Sequence, residues 1–270
     1  MKITFIGGGN MASALIGGLL AGHAKASEIR VVDPDPTSRE RVHTNFGVAV
    51  FDSAGSAALD SDVLVIAVKP QQMRKVASGL APLMSGQLVI SVAAGIRFDD
   101  LSRWLSGHRR IARTMPNTPA LIGEGITALF AAPELAPQDR EMADTILSAV
   151  GQTIWVDDEA QIDAVTAVSG SGPAYVFYFM EAMHAGALAM GLSEVHARQL
   201  TLATFGGAAR LAAKSADAPS VLRERVTSKG GTTAAALAVM AERGVDRHIV
   251  DAIEAACRRS AELGIEFGRD

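Results

Sequence analysis

The stretch Lys2-Ile-Thr-Phe-Ile-Gly7-Gly-Gly9-Asn-Met-Ala12 decides the fold, because it joins a short apolar strand to a glycine-rich turn and the start of a helix. Read as Gly7-x-Gly9-x-x-Ala12, it matches the dinucleotide-binding fingerprint in its G-x-G-x-x-A form. Gly7 permits the tight turn, Gly9 lets the backbone approach a pyrophosphate, and Ala12 is small enough for close packing of helix against strand. The pyrophosphate is then expected at the N-terminus of the helix that begins near Met11.

Short apolar runs alternate with helical patterns up to about residue 157. This alternation predicts an α/β fold, with a doubly wound, mostly parallel sheet of the Rossmann type. The run Val63-Leu-Val-Ile-Ala-Val68 is apolar without alternation, as expected of a strand covered on both faces. The predicted helices include Met11–Ala21 and Pro137–Val150. The predicted strands are Lys2–Ile6, Glu28–Val32, Val63–Val68, Leu88–Val92, Arg110–Thr114, Ile126–Phe130 and Gln152–Val156.

Beyond Asp157 the strand pattern ends and long helical patterns follow. The segment Gln161–Met190 contains no Lys or Arg, and Asp163 and Glu181 are its acids. A helix this apolar needs cover on several sides, so we predict an all-α dimerisation domain that is buried in a homodimer. The expected domains are a dinucleotide-binding domain over residues 1–158 and a helical domain over residues 159–270. Further helices are predicted at Val195–Ala213, Pro219–Val226, Thr232–Arg243 and Arg247–Gly264.

The composition of the 270 residues argues for a globular protein and against several kinds of partner. A net charge of −4, with no basic run interleaved with aromatic residues, predicts no nucleic-acid partner. No apolar run approaches the roughly 20 residues of a membrane helix, and the N-terminus lacks the pattern of a secretory signal. Cys257 is the single cysteine, so no intrachain disulfide forms. We therefore expect a cytoplasmic protein without membrane association.

The type of nucleotide is left open by the residues after the second predicted strand. That strand ends at Asp33, where an acid would bond the ribose 2′-hydroxyl of NAD. Thr37, Ser38 and Arg39 follow and could instead hold the 2′-phosphate of NADP, since the guanidinium fork suits phosphate. A plain turn residue is the alternative for Asp33, and a solvated charge is the alternative for Arg39. Further loops that follow strands, where ligands of such sheets bind, are Val68-Lys69-Pro70-Gln, Val92-Ala93-Ala-Gly-Ile and Met115-Pro-Asn117-Thr-Pro.

A second candidate binding feature lies in the helical half, in Ser228-Lys-Gly-Gly231-Thr-Thr233. The two glycines permit a tight turn, and the two threonines fall in the first helical turn, whose N–H groups lack intrahelical partners and attract anions. A small carboxylate would fit there, held by N–H groups and by the hydroxyls of Ser228 and Thr233. An ordinary loop and helix N-cap is an equal alternative from these residues alone.

No metal site is predicted, because the histidines have no metal-ligand spacing. They also form no Ser/His/Asp set. His184 lies on the apolar helix and is interpreted as a packed or interface residue. The six histidines are His23, His43, His108, His184, His196 and His248.

Taken together, the motifs resemble those of the pyrroline-5-carboxylate reductase family. They run in the family's order from residue 7 to about residue 240, so the resemblance covers nearly the whole chain. The motifs that begin at Ala167 and at Val226 are the most specific, since the glycine motif at Gly7 occurs in many dehydrogenases. The matching pieces are Gly7-Gly-Gly-Asn10-Met11-Ala12, Val68-Lys69-Pro70, Met115-Pro-Asn117-Thr-Pro, Ala167-Val-Ser-Gly-Ser-Gly-Pro-Ala-Tyr175 and Val226-Thr-Ser-Lys-Gly-Gly-Thr-Thr233.

The resemblance implies reduction of the C=N bond of 1-pyrroline-5-carboxylate to L-proline by NADPH, or by NADH, as the last step of proline biosynthesis. It also implies a Rossmann domain followed by a helical domain that interlocks with a second subunit, in a homodimer or a larger ring of dimers. By similarity, Ser228, Gly231, Thr232 and Thr233 hold the substrate carboxylate, and Thr233 also bonds the ring nitrogen as the catalytic candidate. The cofactor is assigned to Gly7, Gly9, Asn10, Met11, Asp33, Arg39, Val68, Lys69, Pro70, Ala93 and Asn117.

Two positions depart from the pattern and three alternatives follow. Lys229 stands where the family often has proline, and Asp33 differs from the more hydroxyl-rich cofactor loops of some members.

A β-hydroxyacid dehydrogenase would need a lysine and an asparagine after the Gly-x-Gly helix start, but Val176 and Phe179 stand there. A nucleotide-sensing regulator is a second alternative. Reduction of a related six-membered cyclic imine acid is the third, since one methylene is worth only about 1–3 kcal/mol of discrimination.

Overall fold

A computed structural model describes residues 1–269, apart from the side chain of Ala57, and is built around an eight-stranded sheet. The strands are β1 (Ile3–Ile6), β2 (Ile29–Val32), β3 (Ala49–Phe51), β4 (Val63–Ile66), β5 (Leu88–Ser91), β6 (Ile111–Met115), β7 (Gly125–Phe130) and β8 (Gly151–Trp155). Their order in the sheet is β3-β2-β1-β4-β5-β6-β7-β8, and β6 with β7 is the antiparallel pair. The order of the first six strands is that of a dinucleotide-binding sheet, which confirms the predicted Rossmann class.

All of the predicted strands are present, and β3 is the strand that the sequence analysis missed. It has three residues, of which Ala49 is exposed and the other two are half-buried. It pairs only with β2 at the edge of the sheet, and three residues are too short a run to show a strand pattern in the sequence. Strand β4 behaves as predicted: Val63 and Val65 join one apolar cluster, whereas Leu64 and Ile66 join the other.

The chain divides into two compact units. The first comprises Met1–Ser171 together with the segment from Ala255 onward, and the second comprises Gly172–Glu254. The predicted boundary at residue 158 stays a prediction. No helix within residues 1–269 is long and apolar enough to cross a membrane. The helices are α1 (Asn10–Ala21), α2 (Pro36–Phe46), α3 (Ser56–Leu59), α4 (Pro70–Leu80), α5 (Phe98–Trp104), α6 (Pro137–Ser148), α7 (Gln161–Val165), α8 (Gly172–Ala189), α9 (Glu194–Ala213), α10 (Pro219–Arg225), α11 (Thr232–Glu242) and α12 (Val245–Gly268).

The predicted single helix Gln161–Met190 is wrong, because a π-helical turn over Thr166–Gly170 separates α7 from α8. The Ser171 N–H donates to the Thr166 carbonyl at 2.8 Å, which closes the wider turn. Pro173 explains the interruption: it has no N–H to donate, and its ring would clash with the preceding turn of a continuous helix. Proline is instead tolerated in the first turn of α8.

The C-terminal part of α12 packs within the first unit. Ser260 donates a hydrogen bond to Asp163 at 2.6 Å, and Arg103 donates to the Gly268 carbonyl at 2.8 Å. Phe267 lies against the loop after β5, where a Cβ on Gly95 would be 3.1 Å from its ring. The helix that starts in the second unit therefore completes the first.

A buried ion pair holds the segment that leads out of β8. The Arg113 guanidinium of β6, with 4% of its side chain exposed, lies 2.7 Å from Glu159, whose side chain is 25% exposed. The same Glu159 oxygen accepts the Phe98 N–H at the start of α5. Glu159 thus satisfies a buried cation and a helix N–H at once.

We expect Glu159→Ala to lower the free energy of unfolding by about 2 kcal/mol, because it leaves a buried guanidinium without its carboxylate. The expected cost lies below the 3–5 kcal/mol of fully buried pairs, since Glu159 is a quarter exposed. Urea unfolding at one fixed protein concentration measures it. The double variant Arg113→Met with Glu159→Ala should recover part of the loss. A single variant as stable as the unmodified protein would contradict the argument.

Candidate functional site

A cleft of about 630 Å³ lies beside the carboxyl ends of β1 and β4. The strand order of the sheet reverses between these two strands, which is where ligands of doubly wound sheets bind. Five of the residues predicted to bind the cofactor line the cleft: Gly7, Gly9, Asp33, Val68 and Lys69.

The glycine turn has the two features that a nucleotide needs. Gly7 has a φ of +99°, and a Cβ there would lie 2.7 Å from the Ala67 carbonyl, so only glycine allows β1 and β4 to meet in this way. Gly9 is exposed, and a Cβ there would meet no atom within 4 Å. Gly9 is also the N-cap of α1, and no side chain caps that helix. The free N–H groups at the start of α1 and the lack of a side chain at Gly9 together suit a dinucleotide pyrophosphate.

Asp33 supports the glycine turn from the neighbouring strand. Its Oδ2 accepts the Gly8 N–H at 2.7 Å, and its Oδ1 accepts the Asp35 N–H at 2.9 Å. The Gly8 carbonyl accepts from Ser38 at 3.2 Å and from Arg41 at 2.7 Å. Asp33 therefore stabilises the glycine turn and the loop after β2 through these two hydrogen bonds.

The other predicted cofactor residues do not line the cleft. The Arg39 Nη1, one end of the guanidinium predicted as a candidate for the 2′-phosphate, donates to the carbonyls of Asp33 and Pro34 at 2.7 and 2.8 Å. Ala93 is only 4% exposed. The remaining predicted positions outside the lining are Asn10, Met11, Pro70 and Asn117.

Asn117, in the loop after β6, contacts strand β7 and the π-helical turn of the first unit. Its Oδ1 accepts the Ile126 N–H at 3.0 Å, and its Nδ2 donates to the Ser169 hydroxyl at 3.2 Å. Ser169 lies in the π-helical turn, a type of irregularity that is frequent at functional sites. Ser169 belongs to the Ala167–Tyr175 motif and is a further residue of the candidate site. A π-helical turn has no reliable sequence pattern. The one signal in the sequence that could have identified Ser169 is therefore its position within that motif.

The start of α11, in the second unit, has no side-chain cap. Gly230 has a φ of +72°, and Gly231 is the N-cap, with no side-chain hydrogen bond to the helix. A Cβ on Gly231 would lie 2.5 Å from the Ser228 hydroxyl oxygen, so the hydroxyl reaches the helix start because glycine leaves room. The Gly231 N–H already donates to the Ser228 carbonyl at 3.0 Å. The N–H groups of Thr232, Thr233 and Ala234 are therefore the first-turn donors without an intrahelical partner.

Within the described chain, no group of three or more His, Cys, Asp or Glu side chains has the arrangement of a metal site. His184 lies 3.1 Å from Glu194, an ion pair when the imidazole is protonated, between α8 and α9. The assignment of His184 as a packed or interface residue stays a prediction.

Two family profiles match the chain. Residues 2–95 match a family described as NADP oxidoreductase, coenzyme F420-dependent. Residues 159–263 match a family described as pyrroline-5-carboxylate reductase dimerisation. The first match covers the glycine turn and its cleft, and the second covers the open start of α11.

Relatives of the whole chain agree with these matches. The pyrroline-5-carboxylate reductase of Pseudomonas aeruginosa is 47% identical over 99% of this chain and 98% of its own. The structure of a pyrroline-5-carboxylate reductase from Coxiella burnetii superposes with a TM-score of 0.91 at 39% identity, over 97% and 98% of the two chains. That of Plasmodium falciparum pyrroline carboxylate reductase, solved with NADP bound, gives 0.86 at 29% identity over 98% of each chain. The chain belongs to the pyrroline-5-carboxylate reductase family.

Proposed function

We propose that this chain reduces the C=N bond of 1-pyrroline-5-carboxylate to give L-proline, the last step of proline biosynthesis, with NADPH as hydride donor and NADH as an accepted alternative. The observation that carries the proposal is the uncapped start of α11, with the Ser228 hydroxyl beside it. It is suited to a small carboxylate, and a cyclic imine acid has one. The nucleotide cleft of the first unit supplies the other requirement of such a reductase.

The substrate carboxylate is held by the Ser228 hydroxyl and by the N–H groups of Thr232 and Thr233. These donors belong to a helix start, so they are oriented before the ligand arrives and stabilise its negative charge. Gly231 serves by its lack of a side chain, because a Cβ there would displace the Ser228 hydroxyl. Fixing the carboxylate fixes the imine carbon, and orientation of this kind contributes strongly to rate.

The chemistry that the bound nicotinamide supplies is hydride donation to the imine carbon. Thr233 is half-buried in the first turn of α11, and its hydroxyl bonds the ring nitrogen and donates or relays the proton that the amine product requires. Gly7, Gly9 and the N-terminus of α1 hold the pyrophosphate, and Val68 and Lys69 form the wall of the cleft beyond β4. Asn117 acts through Ser169 by fixing the loop after β6.

Steady-state oxidation of NADPH and of NADH in the presence of 1-pyrroline-5-carboxylate tests the proposed function. We expect saturable turnover with both nucleotides, and the ratio of the two kcat/KM values gives the cofactor preference. The six-membered imine acid is measured in parallel, and we expect a lower kcat/KM for it. Clear nucleotide binding without turnover of either imine would contradict the proposal.

We also propose that the protein is a homodimer, assembled as a larger ring of dimers, through its helical unit. Only Ala187 of α8 is buried within the single chain, while Phe177 and Tyr178 are 58% and 71% exposed. An apolar pocket of about 250 Å³ lies between α8 and α12, and the buried Tyr175 hydroxyl beside it has no partner in the described chain. Exposed apolar surface of this kind supports burial by a second subunit.

Tyr178→Asp is expected to shift the protein from dimer towards monomer, because it would bury a charge in the apolar contact between subunits. Sedimentation velocity over a range of protein concentrations measures the shift, and we expect a dissociation constant at least about tenfold higher. Lys25→Asp, an exposed change in the first unit, is the control. A variant that stays dimeric at every concentration would place the interface elsewhere.

Two further assignments belong to this proposal. The division into a cofactor domain over residues 1–158 and a dimerisation and substrate domain over residues 159–270 is supported by the family match that begins at residue 159. A cytoplasmic location is supported by the single cysteine, Cys257, which leaves the chain without an intrachain disulfide.

A further inference from the structure

The loop after β2 brings acidic side chains to the nucleotide cleft. Asp33, Pro34 and Asp35 all line it, at the position where sheets of this type bind the ribose next to adenine. That ribose carries the 2′-hydroxyl of NADH or the 2′-phosphate of NADPH. The residues of this loop are therefore the ones that meet the only chemical difference between the two nucleotides.

Asp35 occupies the anion-binding start of α2. Its two carboxylate oxygens accept the N–H groups of Thr37 and Ser38, each at 3.2 Å. These first-turn N–H groups are the donors that a phosphate uses at a helix N-terminus. A 2′-phosphate of charge about −1.5 to −2 would meet a site that already holds a carboxylate, and it would be repelled by that carboxylate as well.

The neighbouring candidates are committed to other contacts. Both oxygens of Asp33 accept backbone N–H groups, one of them from Gly8 of the glycine turn. A change at Asp33 therefore disturbs the turn that any dinucleotide needs. Arg39 is bound to two carbonyls and does not line the cleft. The lining cations are Lys69 and Lys75, which follow β4 rather than β2.

We infer that Asp35 is a specificity-determining residue of the cofactor site, which disfavours the 2′-phosphate by filling the N-terminus of α2 with a carboxylate. Asp33 anchors the turn for both nucleotides, and Arg39 stabilises the loop. The inference rests on the proposed NADPH-dependent function, and it names a residue that limits the advantage of NADPH over NADH. It predicts that the preference changes when the charge of Asp35 is removed, even though the helix remains capped.

Calorimetric titration of the full-length protein with NADP⁺ and with NAD⁺, without imine, tests the inference. Asn and Ser are both good N-caps, so Asp35→Asn and Asp35→Ser keep the helix start while removing the charge. We expect the ratio Kd(NADP⁺)/Kd(NAD⁺) to fall about fivefold in Asp35→Asn. In Asp35→Ser, whose shorter side chain also frees an N–H for the phosphate, we expect it to fall about tenfold or more. Glu40→Gln is the matched control, an equal charge change at an exposed position of the same helix.

Each outcome decides the matter. A ratio that falls in both Asp35 variants and stays fixed in Glu40→Gln supports the inference. A ratio unchanged in the Asp35 variants, or lowered equally by Glu40→Gln, overturns it, because the effect would then be absent or a general one of net charge. If the unmodified protein reduces the imine but the ratio never moves, this inference fails alone. If it binds neither nucleotide, the proposed function and the inference fail together.

Discussion

Gly9→Val is expected to weaken nucleotide binding at least about a hundredfold while the protein stays folded, because the new side chain takes the space of the pyrophosphate. A Cβ at this position meets no protein atom within 4 Å. The backbone, with φ −70° and ψ −172°, is open to any residue. The loss should therefore appear in binding and not in stability. Calorimetric titration with NADP⁺ and NAD⁺, with thermal unfolding of the same samples, measures both quantities.

Two neighbouring substitutions make this result interpretable. Gly9→Ala adds a single methyl group and should weaken binding less than valine does. Gly7→Ala is the contrasting case, since its φ of +99° and the 2.7 Å approach to the Ala67 carbonyl strain the fold itself. We expect it to unfold at a lower temperature even without nucleotide. A folded Gly9→Val protein with undiminished affinity would remove the glycine turn from the cofactor site.

Thr233→Ala is expected to lower kcat/KM for 1-pyrroline-5-carboxylate by about 10²–10³, the usual cost of removing one donor that stabilises developing charge. The affinity for NADPH should change little, because the glycine turn that is proposed to hold the nucleotide lies in the first unit and Thr233 in the second. Alanine favours helix, so α11 should remain intact. Steady-state kinetics with the imine varied, together with NADPH titration, separates the two effects.

Thr232 offers a matched control for Thr233. It is the first residue of α11, and its hydroxyl has no assigned role, whereas its backbone N–H does. Thr232→Ala should therefore retain most of the activity, and Thr233→Ser should recover a large part of what Thr233→Ala loses. Equal losses of imine turnover and nucleotide affinity in Thr233→Ala would mean that the residue serves the cofactor and not the imine.

The features that the sequence predicted well depend on short stretches of chain. The glycine turn after β1 and the unbroken apolar run of β4 each have a local cause, namely φ freedom and burial of both faces of the strand. The open start of α11 likewise follows from two adjacent glycines before an apolar helix. For these elements the residues that determine the structure are neighbours in the sequence.

What the sequence could not predict is which partner a side chain meets in the fold and where a long helical pattern is interrupted. Whether the Arg39 guanidinium turns to a phosphate or to the Asp33 carbonyl is decided by the path of the loop, which no local pattern encodes. The hydrogen bond from Asn117 to Ser169 spans fifty-two positions. The π-helical turn arises because Pro173 interrupts a segment whose apolar composition favours one long helix. The residue type shows which ligand a side chain could bind, but the partner that it actually contacts follows only from the fold.

The return of α12 to the first unit affects how the chain folds as it emerges from the ribosome. The loop after β5 packs against Phe267, and Asp163 accepts a hydrogen bond from Ser260, so the first unit lacks part of its packing until α12 has been synthesised. Vectorial folding, in which an N-terminal domain is finished before the next begins, cannot complete this unit. Premature termination anywhere before α12 should therefore yield a polypeptide with an unfinished first unit, which quality-control proteases would recognise, and not a stable domain that sequesters nucleotide.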